Sequence, residues 1–393
     1  MRLALGAPDL EGAVGEVLDR RLLPDSPRPV AVALSGGGDS LALLLAAAAW
    51  ARRVGRPVVV LTVDHRLRPE SADWTTACSA VARRLGLPFR GLAWTGDKPA
   101  AGLPAAARAA RHALLADAAR EAGARVILMG HTADDGLEAR VMRAEGSTTP
   151  EPREWAPSPA WPQGRGIFLL RPMLAVRRAD IRDWLRARGQ SWIDDPANED
   201  AAYARPRARR ALTGGAQPPP ARSAASATAL AAACRPDPRG GFEIARAELR
   251  AADLDALARF VSAGCLCAAG TARPPRRDRV ERLALRLRAA ESFVATLAGA
   301  RIEAGATDAR WLREPGEAAR GGLAPLRLNA GETAVWDGRF EVTAARPVEV
   351  RAAAGRALPV AVTGDGSVQA LEARPLTHQR LLAACGAIER EPS

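Results

Sequence analysis

Between about residues 28 and 145, short apolar runs alternate with longer segments of Ala, Leu and Arg. Pro29–Leu34 (PVAVAL) is short, rich in valine and closed by Ser-Gly-Gly-Gly, which predicts a buried strand. Pro57–Val63, Pro88–Trp94 and Val126–Gly130 predict three more strands. Helices are expected over Asp39–Val54, Ser71–Leu85, Pro104–Glu121 and Ala133–Ala144. Strand and helix in regular alternation imply βαβ units and a parallel sheet, an α/β fold. In such sheets ligands bind beyond the carboxyl ends of the strands, where loops meet helix N-termini. The loops after the first, second and fourth strands are therefore the expected seat of chemistry.

The pattern then changes. Residues 146–166 are rich in Pro, Trp and Gly and read as a long loop over the site. A strand at Ile167–Leu170 and a helix at Arg177–Arg188 follow, then an arginine-rich segment, Tyr203–Arg210. Gly214–Ser226 has linker composition. The expected organisation is a catalytic domain over 1–213, a linker over 214–226, a mainly helical domain over 227–300 and a small β-rich domain over 301–393. Short β-like pieces at Thr333–Trp336, Arg339–Thr343 and Val348–Arg351 support the last of these.

Charge sharpens the picture. The formal net charge is +12 over 393 residues, which favours a polyanionic partner. Lys98 is the single lysine, so the basic residues are almost all arginine, the residue suited to bidentate phosphate contact. A GC-rich codon bias gives the same preference. No apolar run approaches a membrane span of roughly 18–20 residues, and the N-terminus lacks a signal-peptide pattern. Five scattered cysteines, Cys78, Cys234, Cys265, Cys267 and Cys385, fit reduced thiols and a cytoplasmic location. Cys265 and Cys267 have no second pair, so zinc is not expected, and they read as part of a small-residue helix surface.

Ser35-Gly36-Gly37-Gly38-Asp39-Ser40 follows a predicted strand and opens a predicted helix. Glycines let a phosphate approach the backbone, the serine hydroxyls add donors, and the helix start adds unpaired N–H groups. Asp39 would repel phosphate unless a cation lies between, which suggests Mg²⁺ held at Asp39. A Gly-Lys-Ser/Thr P-loop and a GxGxxG fingerprint are both absent.

This hexapeptide resembles the SGGxDS loop of the PP-loop ATP pyrophosphatases, enzymes that cleave ATP between the α and β phosphates and adenylate an oxygen. Further segments narrow the resemblance: Val63–Ser71 (VDHRLRPES), Ala107–His112 (ARAARH), Gly130–Glu138 (GHTADDGLE), Leu170–Leu174 (LRPML) and Trp192–Asp200 leading into Arg205, Arg207 and Arg209. In this order and spacing, residues 28 to about 210 resemble the tRNA(Ile)-lysidine synthetases.

The resemblance implies ATP-dependent activation of the wobble cytidine of an isoleucine tRNA with a CAU anticodon. Free L-lysine then displaces AMP to give lysidine. Ser35, Gly36, Gly37, Gly38, Asp39 and Ser40 would hold ATP, and His65 and His131, at strand ends, would contact nucleotide or satisfy backbone groups. Asp39, Asp135, Glu138 and Arg111 would be catalytic. Asp135 and Glu138, three apart on a helix and so on one face, would bind the lysine ammonium. Arg108 or Arg111 would take the lysine carboxylate or a phosphate. Thr132-x-x-Asp135 is also a capping-box pattern, so Asp135 has a structural reading beside the functional one. Gly136, Ala139 and His112 depart from the usual family residues at their positions.

Arg205, Arg207 and Arg209, and then Arg276, Arg277 and Arg279 in the cluster 273–288, are the candidate tRNA contacts. Trp155 and Trp161 read as loop packing before base stacking. A PP-loop tRNA sulfur transferase is the main alternative, but only Cys78 lies in the catalytic region. A tRNA-binding relative without catalysis is the other. The oligomeric state is open, a homodimer included.

Overall fold

The computed structural model describes residues 9–147, 149–194, 204–215, 217, 227–289, 291–369 and 371–392. Asp195–Asp200, Tyr203 and most of the expected linker lie outside the described residues. The chain divides into two compact units, 1–223 with 389–393 and 224–388.

The first unit opens with α1 (Leu10–Arg21), β1 (Val30–Ala33), α2 (Gly38–Val54), β2 (Val58–Asp64), α3 (Ser71–Arg84) and β3 (Phe89–Ala93). It continues with α4 (Leu103–Glu121), β4 (Val126–Leu128), α5 (Ala133–Ala144), β5 (Trp155–Pro157), β6 (Phe168–Leu170), α6 (Arg178–Ala187) and α7 (Ala204–Thr213). The strand order is β3-β2-β1-β4-β6-β5, parallel except for β5, which runs antiparallel to β6. Both faces of this sheet are covered, which is why its strands read as unbroken apolar runs. Val30, Val32, Val58, Val60, Val126 and Leu128 pack on one face against Leu41 and Leu44 of α2 and Ile181 of α6. Ala31, Val59, Leu61 and Ile127 face the other way, against Leu115 and Ala119 of α4. The chain runs outward from β1 to β3 and then returns to β4 on the other side of β1. That reversal opens a crevice at the carboxyl ends of β1 and β4.

The C-terminal residues return to this unit. Arg56 and Glu391 form an ion pair of 2.5 Å whose side chains are fully buried. Arg56 also donates to the carbonyls of Arg28 and Leu23, and Glu391 accepts from the Leu23 N–H. The expected 301–393 domain therefore does not keep its last residues.

In the second unit, strands 235–237, 241–245, 308–313, 300–304 and 293–297 form one antiparallel sheet in that order. Phe242 stacks on Trp311 at 5.4 Å, and Phe260 meets both rings edge-on. This core also takes in helices Leu254–Ala268 and Arg277–Arg288. The boundary expected at residue 300 thus runs through a hydrogen-bonded sheet, and residues 227–300 are not purely helical. Cys265 and Cys267 are fully buried in this core, so the small-residue stretch there is interior packing rather than surface. Two smaller sheets complete the unit, one of strands 326–328, 348–352, 359–362 and 368–369, the other of 333–336, 340–343 and 373–375.

Candidate active site

The loop after β1 is shaped by its own hydroxyls. The Ser35 N–H donates to Ser40 Oγ at 3.1 Å, and that hydroxyl donates to the Gly37 carbonyl at 2.9 Å. Gly36 has φ +85°, which favours glycine, and a Cβ there would lie 2.6 Å from Ile193 Cδ1 and push that side-chain end aside. The Gly36 carbonyl accepts the Ile193 N–H at 3.0 Å. Gly37 caps α2 without any side-chain acceptor, which leaves the first-turn N–H groups of a 17-residue helix for an anion. From β4, Gly130 comes so close that a Cβ would sit 3.0 Å from Ser40 Cα and N.

Beside this loop the chain gathers three carboxylates. Asp135 completes the capping box: its Oδ2 accepts the Thr132 N–H at 2.8 Å and hydroxyl at 2.9 Å. Its other oxygen lies 3.4 Å from Arg205. Glu138 is 1% exposed, and its Oε1 accepts from Arg178 at 2.9 Å and Arg209 at 3.0 Å. Asp39 Oδ2 accepts from Arg178 at 3.1 Å. Asp39 Oδ1 and Glu138 Oε2 are buried without a partner among the described residues. Burial raises the Asp39 pKa against the pull of Arg178. For Arg178, burial would lower the pKa, but Glu138, Asp39 and Asp135 outweigh it and hold the guanidinium above its ordinary value.

Arginines and neutral imidazoles line the next stretch. Burial, reinforced by Arg108 and Arg205, pushes Arg111 down to about 10. Arg171 falls to about 10 by burial and by Arg108, and it donates to His131 Nδ1 at 3.3 Å. Burial followed by Arg171 takes His131 well below the usual imidazole value. His112 falls to about 2 through burial and Arg111, and neither of its ring nitrogens has a partner among the described residues. Burial and Arg111 also lower His65, whose ring meets Trp94 edge-on at 6.2 Å. Such a cluster attracts an anion, and its imidazoles stay neutral at ordinary pH.

The structure thus brings together Ser35–Ser40, Asp135, Glu138, His131, Arg108 and Arg111. Arg205 and Arg209 point at the two α5 carboxylates, while Arg207 is exposed. Arg276, Arg277 and Arg279 lie exposed in the second unit, and Arg277 pairs with Glu281 at 2.6 Å. Trp155 stacks on Phe168 at 4.7 Å, a packing role. Sequence reasoning misses Arg178 and includes Arg171 only within LRPML, without a role. Arg171 follows β6 directly and Arg178 opens α6, and the strand order, with β6 beside β4, brings them to the crevice.

Residues 11–215 match the PP-loop domain family. The chain is 48% identical over 416 residues to the tRNA(Ile)-lysidine synthase of Caulobacter vibrioides, covering 96% of this chain and 98% of that protein. It is 36% identical over 348 residues to the tRNA(Ile)-lysidine synthase of Rhizobium meliloti, covering 84% of this chain and 76% of that protein. The chain belongs to the tRNA(Ile)-lysidine synthase family.

Proposed function

We propose that this protein joins free lysine to the wobble cytidine of a CAU-anticodon isoleucine tRNA, releasing AMP and pyrophosphate, in the cytoplasm. Membership of the lysidine synthase family makes it a ligase that forms a C–N bond using ATP. The observation that carries the site assignment is the phosphate-type loop lying within one guanidinium's reach of Asp135 and Glu138.

In this reading Ser35–Ser40 and the α2 N-terminus hold the ATP phosphates. Asp39 fits Mg²⁺: it has a buried unpartnered oxygen, and Mg²⁺ takes one or two carboxylates plus phosphate and water. No group of three or more His, Cys, Asp or Glu able to hold a metal occurs among the described residues, so the phosphates would supply the other ligands. The ion would offset charge on the departing pyrophosphate. Asp135 and Glu138 hold the lysine ammonium. The attacking amine must be neutral, yet a free lysine ammonium has pKa about 10.4. In this reading Glu138, whose Oε2 has no partner among the described residues, accepts a proton from the ammonium so that the neutral amine attacks. Arg108, Arg111 and Arg171 offer the lysine carboxylate or a phosphate its counter-charge. His65 and His131, neutral, face the nucleotide. The exposed arginines of both units position the tRNA backbone. Sulfur transfer is disfavoured by Cys78, a buried thiol whose pKa is raised by that burial and which is therefore a poor nucleophile.

Asp39→Ala should abolish ATP-dependent incorporation of labelled lysine into the tRNA while tRNA binding persists. Incorporation that survives the change would show the loop assignment to be wrong.

A further inference from the structure

Arg178 stands at the first position of α6, where a cation opposes the helix dipole, so helix stability does not explain it. That helix start is served instead by Asp134, which accepts the Arg178 N–H at 2.7 Å and pairs with Arg177 at 2.9 Å. The Arg178 side chain turns inward, with its guanidinium 3.1 Å from Asp39, 3.6 Å from Asp135 and 2.9 Å from Glu138. It joins the carboxylate of the ATP loop to both carboxylates assigned to the amine.

Charge balance then constrains what happens next. Three carboxylates face Arg178, Arg205 and Arg209, and Arg108, Arg171 and Arg182 add further positive charge around them. An incoming ammonium added to this set would bring one more positive charge into a buried place where cations already gather, at high cost. An ammonium that replaces the guanidinium leaves the local charge unchanged. Among the described residues, Glu138 Oε2 and Asp39 Oδ1 have no donor, and the Arg178 guanidinium reaches only the other oxygen of each. A tetrahedral ammonium has three donors that can point in other directions.

We propose that Arg178 is an internal stand-in for the substrate's ammonium: it holds Asp135 and Glu138 closed in the free protein, and lysine enters by displacing it. Arg178 is then a positioning residue that sets lysine affinity. This rests on the lysidine reading above. A site blocked part of the time binds more weakly by the fraction that is open. A guanidinium seated about nine-tenths of the time weakens lysine about tenfold.

The test uses the full-length protein with ATP, Mg²⁺ and isoleucine tRNA. Wild-type lysidine formation is measured first; if it is absent, the functional reading fails before Arg178 is at issue. With wild type active, Arg178→Gln should lower the lysine KM by about tenfold and move the ATP KM by less than about threefold. An unchanged or raised lysine KM overturns the proposal, and a raised ATP KM alone would assign Arg178 to the phosphates. If Arg178→Gln does not fold, wild-type protein with ¹⁵N-labelled arginine gives the answer. Saturating lysine should shift the Arg178 Nε–H resonance and speed its exchange with solvent, and a resonance insensitive to lysine overturns the proposal.

Discussion

Two glycines on either side of His131–Asp135 predict opposite outcomes for the same substitution. A Cβ at Gly130 would stand 3.0 Å from Ser40 Cα and N and 3.1 Å from Asp39 C. Carbon atoms in ordinary contact are about 3.5–4.0 Å apart, so something must yield by roughly half an ångström. The atoms in the way are backbone at the first turn of α2, which cannot rotate aside. Overpacking of this kind costs about 1–3 kcal/mol. Each kcal/mol lowers Tm by about 2–4 °C for a unit of this size. The same displacement disturbs the phosphate loop, and since a 1 Å misplacement can cost about 100-fold, an ATP KM raised about tenfold is expected. Gly136 lies inside α5, and a Cβ there meets nothing within 4 Å. Gly136→Ala should therefore stabilise by about 0.5–1 kcal/mol, the ordinary cost of a helical glycine relative to alanine. The assay is calorimetry of each variant, with ATP kinetics alongside. A Gly130→Ala protein with unchanged Tm and ATP KM, or a Gly136→Ala protein less stable than wild type, would refute the packing argument.

Asp135→Asn keeps an oxygen for the Thr132 cap but removes charge, so it should raise the lysine KM far more than the ATP KM; equal effects in steady-state kinetics would leave capping as its only role. His112 has a folded pKa of about 2 against an unfolded value near 6.5, so below pH 6.5 the unfolded chain binds the extra proton and stability falls as pH falls. The contribution is complete above pH 6.5 and is lost at up to about 1.4 kcal/mol per pH unit on the way down. His112→Leu should flatten the stability slope between pH 6.5 and 5 in urea titrations, and an unaltered slope would contradict the buried neutral imidazole. Glu391→Ala strands the buried Arg56 charge and should destabilise the first unit by about 3–5 kcal/mol, read as a fall in its calorimetric transition; a change under about 1 kcal/mol would mean the pair is solvated.

The α/β sheet was legible because both of its faces are covered: PVAVAL and PVVVLTV read as strands whichever way each residue points. Leu10, Val14 and Leu18 share one face of α1, but the glycine and charged residues between them weaken that signal in the sequence. Strands Gly241–Ala245 and Phe293–Leu297 were hidden by an Ala- and Arg-rich background that favours helix, and tertiary packing on Trp311 and Phe260 decided otherwise. In the site, the hexapeptide and the Asp135/Glu138 spacing are local signals and survive without a structure. Arg178 is not a local signal. It lies 139 residues from Asp39, and nothing in its own sequence surroundings says that the two meet. The buried Arg56–Glu391 pair, 335 residues apart, was invisible for the same reason.

Lysidine formation is tested most directly by mass spectrometry of the wobble nucleoside. CAU-anticodon isoleucine tRNA is incubated with the protein, ATP, Mg²⁺ and lysine, then digested to nucleosides. The wobble cytidine should be converted to lysidine, dependent on both ATP and lysine and lost in Asp39→Ala. An unmodified cytidine, or a thiolated one, would contradict it.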